Sequence, residues 1–308
     1  MPVQFTKATK IAKKGKFLVY GDTGTGKTWF ALSFPRVALI DMEGGADLYG
    51  GRFDFDVMRT KSFSDVLDAI ELVKRDNRQT WDTLVIDPAT VVYQVLQDAS
   101  QRVAEDRAKR KSQPIDDVAL SPRDWGLLKR KLYAALTDLA NLGVNVVLTA
   151  HLKDVVNNQQ AKIGERPDID KKVPYWPDVL IKMTVRKGQY VGIIEKDRSG
   201  TFTVGQEVEG ISYTHFANTL TWMSEGEQVS QPSEEEAVKQ DARRLAVEER
   251  PILKAIRDLQ AALHIADDTL GNTLGRDYGV ERLEELNDRD AAALKARLEK
   301  ARDTKKAA

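Results

Sequence analysis

The segment from residue 17 to residue 32, FLVYGDTGTGKTWFAL, constrains the fold more than any other part of the chain. A short apolar run typical of a β-strand leads into a glycine-rich turn, which opens a segment with helical character. The turn fits the pattern G-x-x-x-x-G-K-[ST] in full, and its glycines let backbone N–H groups surround a phosphate. The lysine can contact the outer phosphates, and the threonine hydroxyl can bind Mg²⁺. The segment therefore predicts a site for ATP and Mg²⁺ formed by Gly21, Asp22, Thr23, Gly24, Thr25, Gly26, Lys27 and Thr28.

The composition excludes several other classes of site. Lys plus Arg and Asp plus Glu each number 47, so any surface that binds nucleic acid must be a local basic patch. The chain has no cysteine, which excludes disulfides and cysteine-ligated zinc. It has three histidines, so a histidine-rich metal site is not expected. No apolar run approaches the ~20 residues that span a bilayer, and the N-terminus lacks the apolar segment of a secretory signal. We expect a soluble, cytoplasmic protein with no membrane partner.

The pattern of the chain predicts two domains. Apolar runs at 16–20, 37–41, 83–87 and 145–149 alternate with helical segments, which is typical of an α/β fold with a mainly parallel sheet. Runs at 179–185 and 190–196 predict a hairpin, and Ser121 with Pro122 predicts the start of a long helix. The predicted organisation is a core over residues 1–223, a polar linker over 224–236, and a small helical C-terminal module over 237–308 with a disordered tail.

Two carboxylates are expected at the same sheet edge as the glycine-rich turn. Asp87 ends the apolar run of DTLVIDP and is predicted to hold Mg²⁺, although it could instead cap the next helix. Pro88 follows it, where many related ATPases carry the glutamate that orients water. The base must therefore come from elsewhere, and the candidate is Glu43, just past the run VALID. The alternative is that Glu43 is a loop glutamate that faces solvent. The carboxyl ends of parallel strands share one edge, so Glu43 and Asp87 can converge on the phosphates.

The order of these residues resembles the RecA-type ATPases, whose catalytic glutamate lies in a strand-Asp-x-Glu segment between the two nucleotide motifs. The stretch VNVVLTAHLKD resembles the strand whose polar end residue senses the γ-phosphate, although RecA itself has glutamine where this chain has His151. GIIEKDRSGTF resembles the Lys-x-Arg hairpin of RecA-core proteins such as DnaB-type helicases, which reaches a neighbouring subunit's γ-phosphate. The resemblance implies a RecA-like P-loop NTPase core whose catalytic residues are Lys27, Glu43, His151, Lys196 and Arg198. The alternatives are that the histidine caps a helix or packs in the core, and that the basic pair is only a charged hairpin end.

Within that superfamily, the stretches LIDMEGG, TLVIDPATVVY, VVLTAHLK and KKVPYWPDVL resemble phage RecA-core ATPases of recombination modules, including the Sak-type single-strand annealing group. The likeness covers about residues 10–220. It implies a homo-oligomeric ring or filament, single-stranded DNA as a partner, and possible contacts with single-strand-binding or other recombination proteins. It also implies action in the cytoplasm of a phage-infected bacterium.

In RecA-like proteins two loops hold single-stranded DNA, and the corresponding stretches here are 104–121 and 152–177. The first contains the basic run RAKRK, which could equally be a solvated helix face; the second is long, polar and without pattern. Their cations can contact phosphates, and Tyr175 and Trp176 can stack on bases, unless they pack on the next strand. The candidates are Arg107, Lys109, Arg110, Lys111, Lys153, Lys162, Arg166, Lys171, Lys172 and Trp176.

These expectations favour an ATP-dependent protein that binds single-stranded DNA and promotes annealing or strand exchange, with ATP hydrolysis at subunit interfaces. Two alternatives remain. A DnaB-like ring helicase or translocase would use the same core and unwind duplex DNA. A regulatory or scaffold ATPase would bind a protein partner, which the neutral charge of the chain allows.

Overall fold

The computed structural model describes residues 13–112, 114, 118–225 and 234–307. The chain divides into two compact units, Met1–Val229 and Ser230–Ala308. In the described ranges, no helix is both long enough and apolar enough to cross a membrane.

Within the described residues, a nine-stranded sheet forms the centre of the first unit. Its strands in chain order are β1 Lys16–Gly21, β2 Val37–Asp41, β3 Phe55–Arg59, β4 Thr83–Asp87, β5 Asn145–Val156, β6 Lys162–Pro167, β7 Val179–Arg186, β8 Gln189–Asp197 and β9 Glu207–Glu209. The order in space is β3-β2-β4-β5-β1-β7-β8-β9, and β6 pairs with β5. The pairs from β3 to β7 are parallel, whereas β6, β8 and β9 pair antiparallel with their neighbours.

Helices cover both faces of this sheet. Those of the first unit are α1 Lys27–Leu32, α2 Phe63–Asp76, α3 Ala89–Arg110, α4 Pro122–Asn141 and α5 Ala217–Ser224. Helix α4 begins as the sequence predicts, because Ser121 and Asp124 form a reciprocal capping box before Pro122. The predicted α/β fold, with a mainly parallel sheet and a C-terminal helical module, is confirmed.

Alternating residues of β1 divide the core into two layers. Leu18 and Tyr20 pack in the cluster that includes residues of α2, α3 and α4, whereas Phe17 and Val19 pack with α1 and with Phe216 before α5. All four strand residues are at most 1 % exposed, and each buried side chain of this size stabilises the fold by about 1.5–3 kcal/mol. The strand that leads into the glycine-rich turn is therefore held rigidly from both sides.

The parallel strands bring the predicted site residues to one edge of the sheet. Strand β5 lies between β1 and β4, and the register places Gly21 beside His151. On the other side of β4, Asp41 lies beside Asp87. The ends of β1, β2, β4 and β5 consequently meet where the glycine-rich turn begins.

Three sequence-based expectations differ from the structure. Residues 152–177 are not an unpatterned loop, because β5 continues to Val156 and pairs with β6 as a hairpin, followed by the short 3-10 helix Val173–Tyr175. Strand β3 was not predicted. In the second unit, α9 continues to Ala307, so residues 303–307 are helical rather than a disordered tail.

The second unit contains α6 Glu234–Glu249, α7 Pro251–Leu263, α8 Asp267–Tyr278 and α9 Asp288–Ala307. Helix α6 begins within the expected linker, of which residues 226–233 lie outside the described residues. The core of this unit consists mainly of leucines from α7 to α9, and the segment around Leu283 forms a 3-10 turn. The buried Gln260 amide ties the α7–α8 connection by donating to the Ile265 carbonyl and the Asp267 carboxylate.

Candidate nucleotide and catalytic site

The glycine-rich turn joins β1 to α1 and has open space on one side. Gly24 and Gly26 have φ angles of 70° and 87°, in the left-handed region that residues with a Cβ rarely adopt. A Cβ added to Gly24 would have no heavy atom within 4 Å. Lys27 Nζ lies over the turn and donates to the carbonyl oxygens of Gly21 at 3.1 Å and Asp22 at 2.7 Å. The turn thus combines exposed backbone with the ammonium group of Lys27, which is the arrangement that binds a polyphosphate.

An aromatic ring that the sequence analysis did not identify covers part of this turn. A Cβ added to Gly26 would lie 2.9–3.1 Å from three ring atoms of Tyr190. Tyr190 is the second residue of β8 and is 40 % exposed. It reaches the turn because β7 pairs in parallel with β1, which places the β7–β8 hairpin beside Gly21. Motif spacing carries no signal for this contact, since it depends on which strand lies next to β1.

Asp87 lies between two threonine hydroxyls. Thr28 Oγ1 donates to Asp87 Oδ2 at 2.6 Å, and Thr149 Oγ1 donates to the other carboxylate oxygen. Burial raises the pKa of Asp87, whereas the hydrogen bonds from Thr149 and Thr28 and the charge of Lys27 oppose that rise. Burial also lowers the pKa of Lys27, against the attraction of Asp87. Asp87 therefore contacts Thr28, the last residue of the glycine-rich motif, whereas the N-cap of α3 is Pro88.

The Thr28 hydroxyl and the Asp87 carboxylate are the oxygen ligands that Mg²⁺ prefers. In the part of the chain that the structure describes, no group of three or more His, Asp or Glu side chains could hold a metal ion. The residues present fit a Mg²⁺ ion that shares its coordination with water and nucleotide oxygens, rather than one held by protein ligands alone.

Glu43 and His151 face each other at the same sheet edge. Their Oε1 and Nε2 atoms are 3.1 Å apart, and the side chains are 50 % and 39 % exposed. The charge of Glu43, after those of Asp87 and Asp22, opposes the lowering of the Lys27 pKa by burial. The structure brings together both residues that the resemblance assigns to the γ-phosphate end of the site.

Two buried side chains fix this pair, and the sequence analysis assigned neither of them a role. The Asp41 carboxylate, 4 % exposed, accepts the N–H groups of Glu43 at 3.0 Å, Gly44 at 2.7 Å and Ala46 at 2.9 Å. On the other side, the N–H of His151 donates to Thr90 Oγ1 at 2.9 Å. Asp41 thus determines the path of the backbone that carries Glu43.

The Lys-x-Arg pair lies at the opposite edge of the sheet. The register pairs Lys196 with Leu180 and Leu180 with Leu18, which is roughly 10 Å along β1 from Gly21. Lys196 Nζ donates to the carbonyl oxygens of Pro174 at 3.3 Å and Tyr175 at 2.9 Å, and burial lowers the pKa of Lys196. Arg198 is exposed. The pair thus lies away from the turn of the same chain, and action on a neighbouring subunit stays a prediction.

The basic run RAKRK forms the last turn of α3 and its C-cap, Lys111. Arg107 Nη2 pairs with Asp124 Oδ1 at 2.7 Å, so this cation stabilises the start of α4. Lys109 Nζ forms an ion pair with Asp106 Oδ1 at 3.5 Å. The cations of this run that face solvent are Lys109, Arg110 and Lys111.

The cations of the β5–β6 hairpin are partly balanced by acids. Lys162 Nζ pairs with Asp154 at 2.7 Å and with Glu165 at 2.5 Å, and Lys153 Nζ pairs with Asp168 at 3.0 Å. The charge available here for phosphate is therefore smaller than the number of lysines in the sequence suggests.

The two aromatic residues after the hairpin differ in exposure. Trp176 packs against the core, and its Nε1 donates to the Leu136 carbonyl at 2.9 Å, which supports the alternative of packing. Tyr175 is 76 % exposed, and Lys172 beside the 3-10 helix is exposed too. Three further candidates, Lys153, Arg166 and Lys171, line one common cleft.

No curated protein matches the chain. Among solved structures, the chain is similar to the RadB recombinase, with 15 % identity and a TM-score of 0.40 over 65 % of this chain and 87 % of that one. It is also similar to a KaiC-like protein from the hyperthermophilic archaeon Pyrococcus horikoshii, with 16 % identity and a TM-score of 0.39 over 65 % and 86 % of the two chains. The family model described as "AAA domain" matches residues 13–208, which is more than half of the chain and includes the glycine-rich turn, Glu43 and Asp87, so the chain belongs to the AAA-domain family.

Proposed function

We propose that this protein is an oligomeric ATPase that binds single-stranded DNA and promotes annealing or strand exchange, in the manner of the phage recombination ATPases that its sequence resembles. One observation carries the catalytic part of this proposal. The glycine-rich turn, the Thr28–Asp87 pair and the Glu43–His151 pair meet at a single sheet edge. A cation, a Mg²⁺ site and a candidate base are the groups that phosphoryl transfer to water requires.

Each of these residues has a separate chemical role in the proposal. The turn and Lys27 bind the phosphates, and Thr28 and Asp87 would hold Mg²⁺, which neutralises phosphate charge when bound. Glu43 accepts a hydrogen bond from the attacking water and aligns it with the terminal phosphorus. His151 contacts Glu43 at 3.1 Å and so orients its carboxylate.

The connection between DNA and hydrolysis rests on strand β5. We name the sheet edge that carries the glycine-rich turn, Asp87 and Glu43 the nucleotide edge. Strand β5 carries His151 at this edge and continues without interruption into the hairpin that holds Lys153 and Arg166. The N–H of Asp168 donates to the His151 carbonyl at 2.8 Å. DNA bound to the hairpin would therefore act on the strand that contacts the candidate base, which supports an ATPase that responds to DNA.

The catalytic part is tested by Glu43→Gln, which keeps the shape of the side chain and removes its basicity. The variant should bind a non-hydrolysable ATP analogue normally and hydrolyse ATP about 10²-fold or more slowly. Glu71→Gln, the same change on the exposed face of α2, is the matched control and should retain normal turnover. A normal rate in Glu43→Gln would show that another group orients the water.

The DNA part is tested by binding of labelled single-stranded DNA to the wild-type chain with the ATP analogue present, over a range of salt concentrations. Binding together with DNA-stimulated hydrolysis and strand annealing supports the proposal. ATP-driven unwinding of a duplex would favour the helicase alternative. No binding even at low salt would favour an ATPase that acts on a protein partner.

A further inference from the structure

The first unit contains a cleft of about 320 Å³ beside the nucleotide edge, between α3, α4 and the β5–β6 hairpin. We name it the hairpin cleft. It adjoins the nucleotide edge through two hydrogen bonds to the His151 backbone, one from Thr90 of α3 and one from Asp168, the residue after β6. The residues that give the cleft its chemistry are Tyr93, Gln94, Gln97, Lys129, Arg166 and Lys171.

The cleft has an excess of positive charge. Its lining includes four cationic and two acidic side chains. The two acids each have a lysine partner, since Lys129 Nζ lies 3.3 Å from Asp170 and Lys153 Nζ lies 3.0 Å from Asp168. Arg166 donates only to the Ile169 carbonyl among the described residues, at 3.3 Å. Two positive charges, those of Arg166 and Lys171, thus remain without an acidic partner in the described part of the chain.

The neutral lining groups suit a nucleobase. Tyr93, Gln94 and Gln97 lie on one face of α3, because residues three and four apart are neighbours on a helix. Neither glutamine amide has a hydrogen-bond partner among the described residues, and each amide can donate and accept at the edge of a base. The half-buried Tyr93 supplies a flat apolar ring of the kind on which bases stack.

We propose that the hairpin cleft binds one nucleotide unit of single-stranded DNA, with its phosphate at Arg166 and Lys171 and its base against Tyr93, Gln94 and Gln97. This inference rests on the proposed function and adds to it a defined DNA site on the side of α3. A cleft of this volume accommodates a single nucleotide, so the strand must enter and leave across the surface. The shared contacts with the His151 backbone place an occupied cleft against the strand that orients the candidate base.

The variant that tests the cleft is Lys171→Glu. Lys171 is exposed and has no ion pair among the described residues, so the variant protein should fold normally. Lys131→Glu makes the same charge change on α4. Lys131 is two residues from Lys129 and therefore on a different face of the helix. Both variants are compared with the wild-type full chain, with a fluorescein-labelled oligodeoxythymidylate as the probe and a non-hydrolysable ATP analogue present.

We expect Lys171→Glu to raise the Kd for the oligonucleotide roughly tenfold or more and to lower the slope of log Kd against log salt by about 0.7, the value for one phosphate contact in a single strand. Lys131→Glu should change neither quantity appreciably. The double variant Gln94→Ala with Gln97→Ala should weaken binding without changing the salt slope, because it removes contacts to the base and none to phosphate.

The outcomes separate this inference from the proposed function. If the wild-type chain binds the oligonucleotide and Lys171→Glu binds as Lys131→Glu does, the cleft is not the DNA site, whereas DNA binding itself stands. If the wild-type chain binds no oligonucleotide, the cleft assignment and the DNA part of the proposed function both fail, whereas the catalytic part stands or falls with Glu43→Gln. If free deoxynucleoside monophosphate binds as tightly as the strand and Lys171→Glu abolishes that binding, the ligand is a free nucleotide and the strand assignment is wrong.

Discussion

Replacement of Thr149 by valine tests most directly the geometry around Asp87, the candidate Mg²⁺ ligand. Thr149 is fully buried in the middle of β5, and its hydroxyl donates to the Asp87 carboxylate. Valine has nearly the same shape and is well tolerated in strands. The change therefore removes one hydrogen bond to a partly buried carboxylate and little else. Thr149→Ser is the converse control, since serine keeps the hydroxyl and loses a methyl group.

The magnitude follows from the partners of Asp87. Its carboxylate accepts hydrogen bonds from two side chains, Thr28 and Thr149, and burial already raises its pKa. A hydrogen bond to a charged group contributes about 1.5–3 kcal/mol. We expect Thr149→Val to lower the free energy of unfolding by about 2 kcal/mol at neutral pH. It should also raise the Mg²⁺ concentration that half-maximal hydrolysis requires, because the carboxylate is no longer fixed on both sides.

Urea denaturation without nucleotide gives the stability, and ATPase assays over a range of Mg²⁺ concentrations give the second quantity. Thr149→Ser should lose about 0.5–1.5 kcal/mol, as when one buried methyl group is removed, and keep the Mg²⁺ dependence of the wild type. The reasoning is refuted if Thr149→Val has the stability and the Mg²⁺ dependence of the wild type. It is also refuted if both variants shift the Mg²⁺ dependence equally.

Gly26→Ala should lose most nucleotide binding, because its Cβ meets the Tyr190 ring at 2.9–3.1 Å and its φ is positive; ATP affinity equal to that of the wild type would contradict this. Lys27→Ala and Arg198→Ala should each be inactive, whereas a mixed assembly should partly regain ATPase activity; no recovery despite confirmed co-assembly would exclude a trans-acting arginine. Hydrogen bonds from Ser121 and Arg107 lower the pKa of Asp124 from 3.8 to about 2. The contribution of the ionised Asp124 to the free energy of unfolding should be complete above about pH 4 and lost towards pH 2. Unfolding of Asp124→Asn, measured over the same pH range, should show no such loss.

The nucleotide edge could be anticipated from the sequence because its signals are local. The glycine-rich turn is defined within eight residues, and Asp87 and Glu43 each follow a short apolar strand whose end is easily recognised. Parallel pairing then brings those ends together without further information. Thr149 and Tyr190 carry no such signal. Their roles depend on β5 lying beside β4 and on β7 lying beside β1, and sequence spacing does not specify these neighbours.

The β5–β6 hairpin was missed for a different physical reason. Strands are recognised from alternating apolar residues, which arise when one face is buried. Here cross-strand ion pairs replace apolar contacts, as Lys162 pairs with both Asp154 and Glu165. The apolar residues near its tip, Val156 and Ile163, are 47 % and 65 % exposed. A hairpin with two solvated faces has the composition of a loop, so pattern alone identifies it as one.

The position of the Lys-x-Arg pair limits how subunits could cooperate. Lys196 and Arg198 lie at the edge where β1 begins, whereas Gly21 lies where it ends. An assembly in which Arg198 reaches a neighbour's nucleotide must therefore place the starting edge of one sheet against the finishing edge of the next. A head-to-tail contact of this kind repeats from subunit to subunit and gives a ring if it closes or a filament if it does not. Within the pair, the Lys196 ammonium already bonds the carbonyl oxygens of Pro174 and Tyr175, and Arg198 is exposed. We therefore expect Arg198 to be the group that contacts phosphate, with Lys196 holding the adjoining 3-10 helix in place.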